Sequence, residues 1–290
     1  AGLAKWVRLG AISAYPNAYF RQLKSEGYLI FGIISLEEFQ KAASWETAFD
    51  AIYRMYPEAD VWEIAGEVMN GDPTVNRYPI SQEEYMAHLK QLYAYIQTQH
   101  PELMSSYPGS VRGSSRIVSA PTFGSGNPGK ELQKYFSLGI TDLPGIIIAI
   151  NDYGNIAADT YENIVNAHAA EMARHEIWVT ETGKPANTQV SWTLSEIPQL
   201  HKFASVVFWY SMSDNDIHSY GLIDNIGEDG PYVMRPLLEA LLKSAPASGS
   251  ATAPSFGPNP PGDPGGIDPG VRLPRDERDQ EFRHRKRMQK

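Results

Sequence analysis

The segment "WEIAGEVMNGDP", residues 62–73, places two glutamates, Glu63 and Glu67, in a stretch that begins apolar and ends in turn residues. A third, Glu181, closes the apolar run of "EIWVTETGKP" (176–185), where Gly183 and Pro185 cannot extend a strand. Two carboxylates over one cleft are what glycosidic bond hydrolysis needs: one protonates the leaving oxygen, and the other attacks the anomeric carbon or activates water. Glu67 and Glu181 lie 114 residues apart, a separation that makes no sense on one helix but is sensible on two strands of a barrel. Because side chains alternate along a strand, Glu63 is expected within it, as a structural residue near the barrel wall, paired or facing a helix. Glu67 is expected at its end.

Seven short apolar runs could position these residues: 4–12, 28–35, 60–66, 116–121, 145–150, 176–181 and 205–210. Longer segments of helical period separate them, the pattern of βα units around a parallel sheet. "GIIIAI" (145–150) and "SVVFWY" (205–210) are continuously apolar, as strands buried on both faces are. The segment 81–101 opens with Ser81 three residues before Glu84, a capping box, carries an apolar face at Tyr85, Leu89, Leu92, Tyr93 and Ile96, and stops before Pro101. A second helix over 160–176 has its stripe at Tyr161, Ile164, Val165, His168 and Met172, with His168 packed or hydrogen-bonded rather than a ligand. In a parallel barrel, functional residues collect at the carboxyl ends of strands, and this filter selects Glu67 and Glu181.

Composition excludes other chemistries. The chain has no cysteine, which removes disulfides, thiolate nucleophiles and thiolate zinc sites. Its formal net charge of −9 argues against nucleic acid as the main partner. No apolar run is long enough to span a bilayer, so no membrane partner is expected. The seven histidines show no close ligand spacing, and no metal is implied. "GSGNPG" (124–129) lacks the spacing and lysine of a phosphate loop and reads as a flexible active-site loop. Residues 1–243 form one compositional unit, and 244–271 are a Pro/Gly/Ser-rich linker expected to be disordered. The tail, 272–290, has eight Lys/Arg against four Asp/Glu and reads as a solvated charge run, or less often as a docking segment for a further domain or assembly partner.

Taken together, "WEIAGEV", "IWVTETGKP", "VVFWYSMSDND" and "YGLID" resemble the motifs of clan A retaining glycoside hydrolases, which are (β/α)8 TIM barrels. The resemblance runs through most of residues 1–243. It implies Glu67 as acid/base at the end of the family's strand four and Glu181 as nucleophile at the end of its strand seven. It further implies Arg8 in "KWVRLG" near the nucleophile, Tyr153 in "INDYG" hydrogen-bonded to Glu181, and Trp209 as an aromatic platform under the sugar. A cation beside a nucleophilic carboxylate favours its ionised form, whereas an acid must stay protonated until it donates. Asp214 and Asn215, in "SDNDIHSYG" (213–221), are candidate contacts for sugar hydroxyls.

Two departures from the family pattern stand out. Gly66 occupies the place of the Asn that usually precedes the acid/base, so the amide that would bond the sugar 2-hydroxyl is missing, unless Asn70 reaches in from the following loop. Counting from Glu67 makes residues 4–12 the family's strand two, so the barrel lacks its first strand in this chain, as truncation of a longer chain would leave it. The leading expectation is a retaining glycosidase cleaving a β-linked oligo- or polysaccharide with no cofactor, secreted or surface-associated rather than cytoplasmic. The rival is a catalytically impaired barrel that binds glycans as a recognition module of a larger protein or assembly. An aldolase would need a lysine at a strand end, and Lys184 falls in a loop.

Overall fold

The computed structural model describes residues 6–10, 12–70, 78–122, 127–154, 157–185, 187–210, 223–224, 233–234 and 236–237. The chain divides into two compact units, Ala1–Pro246 and Ala247–Lys290, and all described residues belong to the first. The linker at 244–271 and the tail at 272–290 lie outside the described residues.

Every apolar run singled out above forms a strand. These are β1 (Trp6–Leu9), β2 (Leu29–Ile34), β3 (Val61–Ile64), β4 (Ile117–Val118), β5 (Ile147–Asn151), β6 (Glu176–Thr182) and β7 (Val206–Trp209). They join in sequence order into one parallel sheet. Helices α1 (Asn17–Ser25), α2 (Leu36–Lys41), α3 (Trp45–Met55), α4 (Gln82–Gln99), α5 (Pro128–Ser137), α6 (Ala158–Ala167) and α7 (Gln189–Leu200) fill the crossovers. "YGLID" contributes β8 (Ile223–Asp224), antiparallel to β9 (Val233–Met234).

Strand alternation sorts the apolar side chains into two clusters. Phe31, Val61, Val118, Ile147, Ala149, Trp178 and Phe208 face inward with Trp6 and Tyr107, while Ile30, Trp62, Ile64, Ile117, Ile148, Ile150, Ile177 and Val179 face the helices. The Trp178 ring sits at the hub, with centroids 5.4 Å from Trp6, 5.3 Å from Phe31 and 5.7 Å from Phe208. The first and last strands of the sheet thus meet through their side chains, and the sheet is a nearly closed barrel. Among the described residues β1 and β7 are not hydrogen-bonded to each other.

Helix α4 buries the expected face, with Tyr85, Leu89, Leu92, Tyr93 and Ile96 at 1% exposure or less. Ser81 accepts from the Glu84 amide at 3.1 Å, while the reciprocal box is formed at α2, between Ser35 and Glu38. The second predicted helix is shorter than its stripe: α6 ends at Ala167, and a 3-10 turn, Glu171–Arg174, still buries Met172. His168 caps the break, stacked 4.0 Å from the Phe136 ring and bonded to Glu171 at 2.9 Å. No helix among the described residues is long and apolar enough to cross a membrane.

At the amino end of β6, buried Glu176 closes the floor of the barrel. It accepts from the hydroxyls of Ser110 at 2.5 Å, Ser205 at 2.6 Å and Tyr107, and from the amides of Val111 at 3.1 Å and Arg112 at 3.3 Å. Burial opposes its charge, but the bonds from Ser110, Ser205, Tyr107 and the Arg112 amide outweigh that and hold its carboxyl below the usual range. Its stabilising contribution is therefore fully present above the ordinary carboxylate range and is lost as pH falls through the depressed value. Glu176→Gln should lower stability by about 2–3 kcal/mol at neutral pH. The difference from the unsubstituted protein in urea unfolding should shrink in acid, and a gap that is equal at all pH values would contradict an ionised Glu176.

Candidate active site

Arg8 shares the inner face of β1 with Trp6, two residues earlier, and its guanidinium stands 5.5 Å over the Phe31 ring. Its Nη1 donates to Glu181 Oε1 at 2.5 Å. Its Nη2 donates to both oxygens of Glu63, at 3.2 and 3.1 Å. Glu63 is fully buried, while the side chains of Arg8 and Glu181 are 12% and 17% exposed. Glu63 is thus paired as expected, but it lies inside the barrel beside the other acidic groups. Burial works against the charge of Arg8, yet Glu63 and Glu181 together hold it protonated beyond the ordinary arginine range.

Glu181 owes its direction to a β-bulge. Trp178 faces the lumen, so regular alternation would turn Glu181 toward the helices. Strand β6 carries one extra residue against both neighbours. On one side Ile150 pairs with Val179 and Asn151 with Glu181; on the other, Val179 pairs with Val207 and Thr182 with Trp209. Such an insertion re-aims the residues that follow it, and Glu181 meets Arg8. Its second oxygen accepts from the Tyr153 hydroxyl at 2.7 Å. Burial, then the charge of Glu181, push the Tyr153 hydroxyl far above the ordinary tyrosine range, so it remains a donor.

Glu67 follows β3 in a turn. Ala65 takes a left-handed φ of 59° there, at a cost of about 1 kcal/mol, and ends the strand. The Tyr85 hydroxyl, donating to the Ile64 carbonyl at 3.0 Å, satisfies the backbone at this point. Two side-chain amides donate to Glu67: Asn151 Nδ2 to Oε1 and Asn70 Nδ2 to Oε2, each at 2.7 Å. Thr180 orients the Asn151 amide by donating to its oxygen at 2.8 Å. Burial, reinforced by the charge of Glu181, pushes the Glu67 carboxyl up to about 7 against the opposing pull of Asn70, Asn151 and Arg8. Burial likewise raises Glu63 to about 7, with Arg8 opposing and Glu181 reinforcing. Each makes its full contribution to stability below the ordinary carboxylate range, and that contribution is lost as pH rises toward about 7, because the unfolded chain ionises first.

Four of the residues selected from sequence, Arg8, Glu67, Tyr153 and Glu181, therefore converge at one end of the barrel. Trp209 ends β7 on the same rim, half-buried, with its ring 6.0 Å from Trp192 in an edge contact. Asp214 and Asn215 lie outside the described residues. Gly66 has room for a side chain: a Cβ there would meet Ile33 at 3.9 Å and Glu63 Oε1 at 4.0 Å, ordinary contacts. Of "GSGNPG", residues 124–126 are not described, whereas Asn127 and Pro128 start α5, with Asn127 accepting from the Lys130 amide at 3.0 Å. Lys184 donates to the Tyr153 carbonyl and stands 5.5 Å over Trp192. Among the described residues no group of three or more His, Cys, Asp or Glu is arranged to hold a metal ion.

Asn151 is the site residue that sequence reasoning missed. It is the last residue of β5, and the strand-end filter that selected Glu181 applies equally to it.

No family model matches this chain, and no curated protein does. Solved structures similar to it include the Bacteroides uniformis beta-glucuronidase 2, at 12% identity and a TM-score of 0.49 over 76% of this chain. The match takes in 29% of that enzyme, so this chain spans less than a third of its length. The beta-mannanase from Thermomonospora fusca is similar at 8% identity and a TM-score of 0.47, over 82% of this chain and 87% of that one. A psychrophilic glycoside hydrolase family 10 endo-beta-1,4-xylanase is similar at 14% identity and a TM-score of 0.45, over 71% and 75% of the two chains. The barrel assignment rests on the sheet itself.

Proposed function

We propose that this chain is a retaining glycoside hydrolase acting on a β-linked oligo- or polysaccharide, with Glu181 as nucleophile and Glu67 as acid/base. The observation that carries this reading is the contrast between two carboxylates on one rim. Glu181 is bonded to a guanidinium and a phenol, while Glu67 is bonded to two amides and pushed up to about 7 by burial. A group held beside a cation is suited to attack as the anion, and a desolvated group near 7 is suited to deliver a proton at neutral pH.

In the first step, a Glu181 oxygen bonds to the anomeric carbon as the glycosidic bond breaks, and the departing oxygen takes the proton from Glu67. In the second, Glu67, now ionised, takes a proton from water; the hydroxide oxygen bonds to the anomeric carbon, and Glu181 leaves as carboxylate. Trp209 would support a sugar face, and Asp214 and Asn215 would contact hydroxyls from the segment that follows. The absence of an amide at Gly66 removes one contact to the sugar 2-hydroxyl, a contact that strengthens in the transition state of related hydrolases.

The deciding experiment is stereochemical. Proton NMR of the first product formed from a β-glycoside should show the β-anomer before mutarotation. Early release of the α-anomer would overturn the role given to Glu181. No turnover on a panel of aryl glycosides and polysaccharides, with glycan affinity lost in Trp209→Ala, would replace hydrolysis by recognition alone.

A further inference from the structure

Three carboxylates, Glu63, Glu67 and Glu181, gather around one guanidinium, and the reaction uses only two of them. Glu63 is fully buried and cannot meet a sugar. From the geometry we infer that Glu63 is a positioning residue for hydrolysis: it anchors one corner of Arg8 so that the opposite corner is presented to Glu181. This inference rests on the hydrolase reading above.

Three contacts hold the guanidinium. Nη2 is fixed by both Glu63 oxygens at 3.2 and 3.1 Å, Nη1 reaches Glu181 at 2.5 Å, and the Phe31 ring lies beneath at 5.5 Å. The third donor site, Nε, is buried and has no hydrogen-bond partner among the described residues. Without Glu63, the long arginine side chain would pivot about its single bond to Glu181, and the planar fork would lose the second point that defines its orientation. Displacements of about 1 Å near reacting groups cost on the order of a hundredfold in rate. The charged or titratable groups around Glu63 are Arg8 from β1, Glu181 from β6, Tyr85 from α4 and Tyr135 from α5. Arg8 is the only cation among them, and only Arg8 bonds both Glu63 and the proposed nucleophile.

The test uses the full chain and an activated aryl β-glycoside, whose leaving group needs no proton, so that the rate reports nucleophilic attack. Glu63→Ala should lower kcat/KM by about 10- to 100-fold, and the single-turnover rate at saturating substrate should fall by the same factor. Covalent labelling of Glu181 by an activated deoxyfluoro glycoside, followed by mass spectrometry, should slow by the same factor. Glu63→Gln, which keeps an acceptor oxygen for Nη2, should recover most of the loss. In an Arg8→Ala background, Glu63→Ala should change the rate less than twofold, because the effect runs through Arg8. Should Arg8→Ala not fold, stranding Glu63 without a cation, the comparison of Glu63→Ala with Glu63→Gln decides alone. Normal rates in Glu63→Ala, an unchanged single-turnover rate at saturating substrate, additive losses with Arg8→Ala, or no recovery in Glu63→Gln would each overturn the inference while leaving the hydrolase reading intact. Neither turnover nor labelling in the unsubstituted protein would overturn both.

Discussion

Glu181→Gln should lower kcat/KM on an activated aryl β-glycoside by about five orders of magnitude, equivalent to about 7 kcal/mol of transition-state stabilisation. The size follows from what the residue is asked to do. A carboxylate forms the covalent bond and answers the developing positive charge at the anomeric carbon, and a neutral amide of the same shape does neither. The substitution should spare the fold. The amide oxygen can still accept from Arg8 Nη1, and Glu63 keeps its bonds to Nη2; with the Glu181 charge gone, one of the causes that raise the Glu63 carboxyl is removed, so Glu63 ionises more readily as the partner of the buried guanidinium. Steady-state rates, a thermal melt and loss of labelling by the deoxyfluoro probe would be measured together. A folded Glu181→Gln protein within tenfold of normal activity would remove Glu181 from the mechanism.

Glu67→Ala should divide substrates by leaving group. A poor leaving group needs the proton that Glu67 supplies, and kcat/KM there should fall by about a thousandfold. An activated aryl group leaves unaided, so its kcat/KM should change little, while kcat and KM fall together because Glu67 is also missing as base in the second step. The pH profile adds a signed test. Burial and the charge of Glu181 raise the Glu67 carboxyl to about 7. An acid works while protonated, so kcat/KM for poor leaving groups should decline as pH rises through that value. In Glu67→Ala this alkaline limb should disappear. Equal losses on good and poor leaving groups would show that Glu67 is not the acid.

Much of the architecture is legible in the sequence. Runs such as "GIIIAI" and "SVVFWY" combine branched apolar residues on both faces, and only a covered parallel strand uses such a run well. The helical stripe of Tyr85, Leu89, Leu92, Tyr93 and Ile96 is local in the same sense, since 3.6-residue periodicity needs no knowledge of the partner surface. The strand-end filter is local too: a polar residue after an apolar run reaches the rim wherever the sheet is parallel. It favoured Glu67 and Glu181, and it would have found Asn151, which ends β5 and bonds Glu67.

Glu63 illustrates where local reasoning stops. Alternation alone shows that Glu63 shares a face with Val61, but the inner and outer faces of a strand buried on both sides are equally apolar. The lumen was selected by Arg8, 55 positions away. The bulge in β6 has no composition signature either, because an extra residue is defined only against the registers of β5 and β7. Strand positions and the residue types at their ends are properties of neighbouring residues, so the sequence by itself determined the barrel's elements and the acidic character of its rim. Which acid meets the cation, and which is driven toward neutrality, depends on desolvation and on distances between strands far apart in the chain, and these exist only once the sheet has curled.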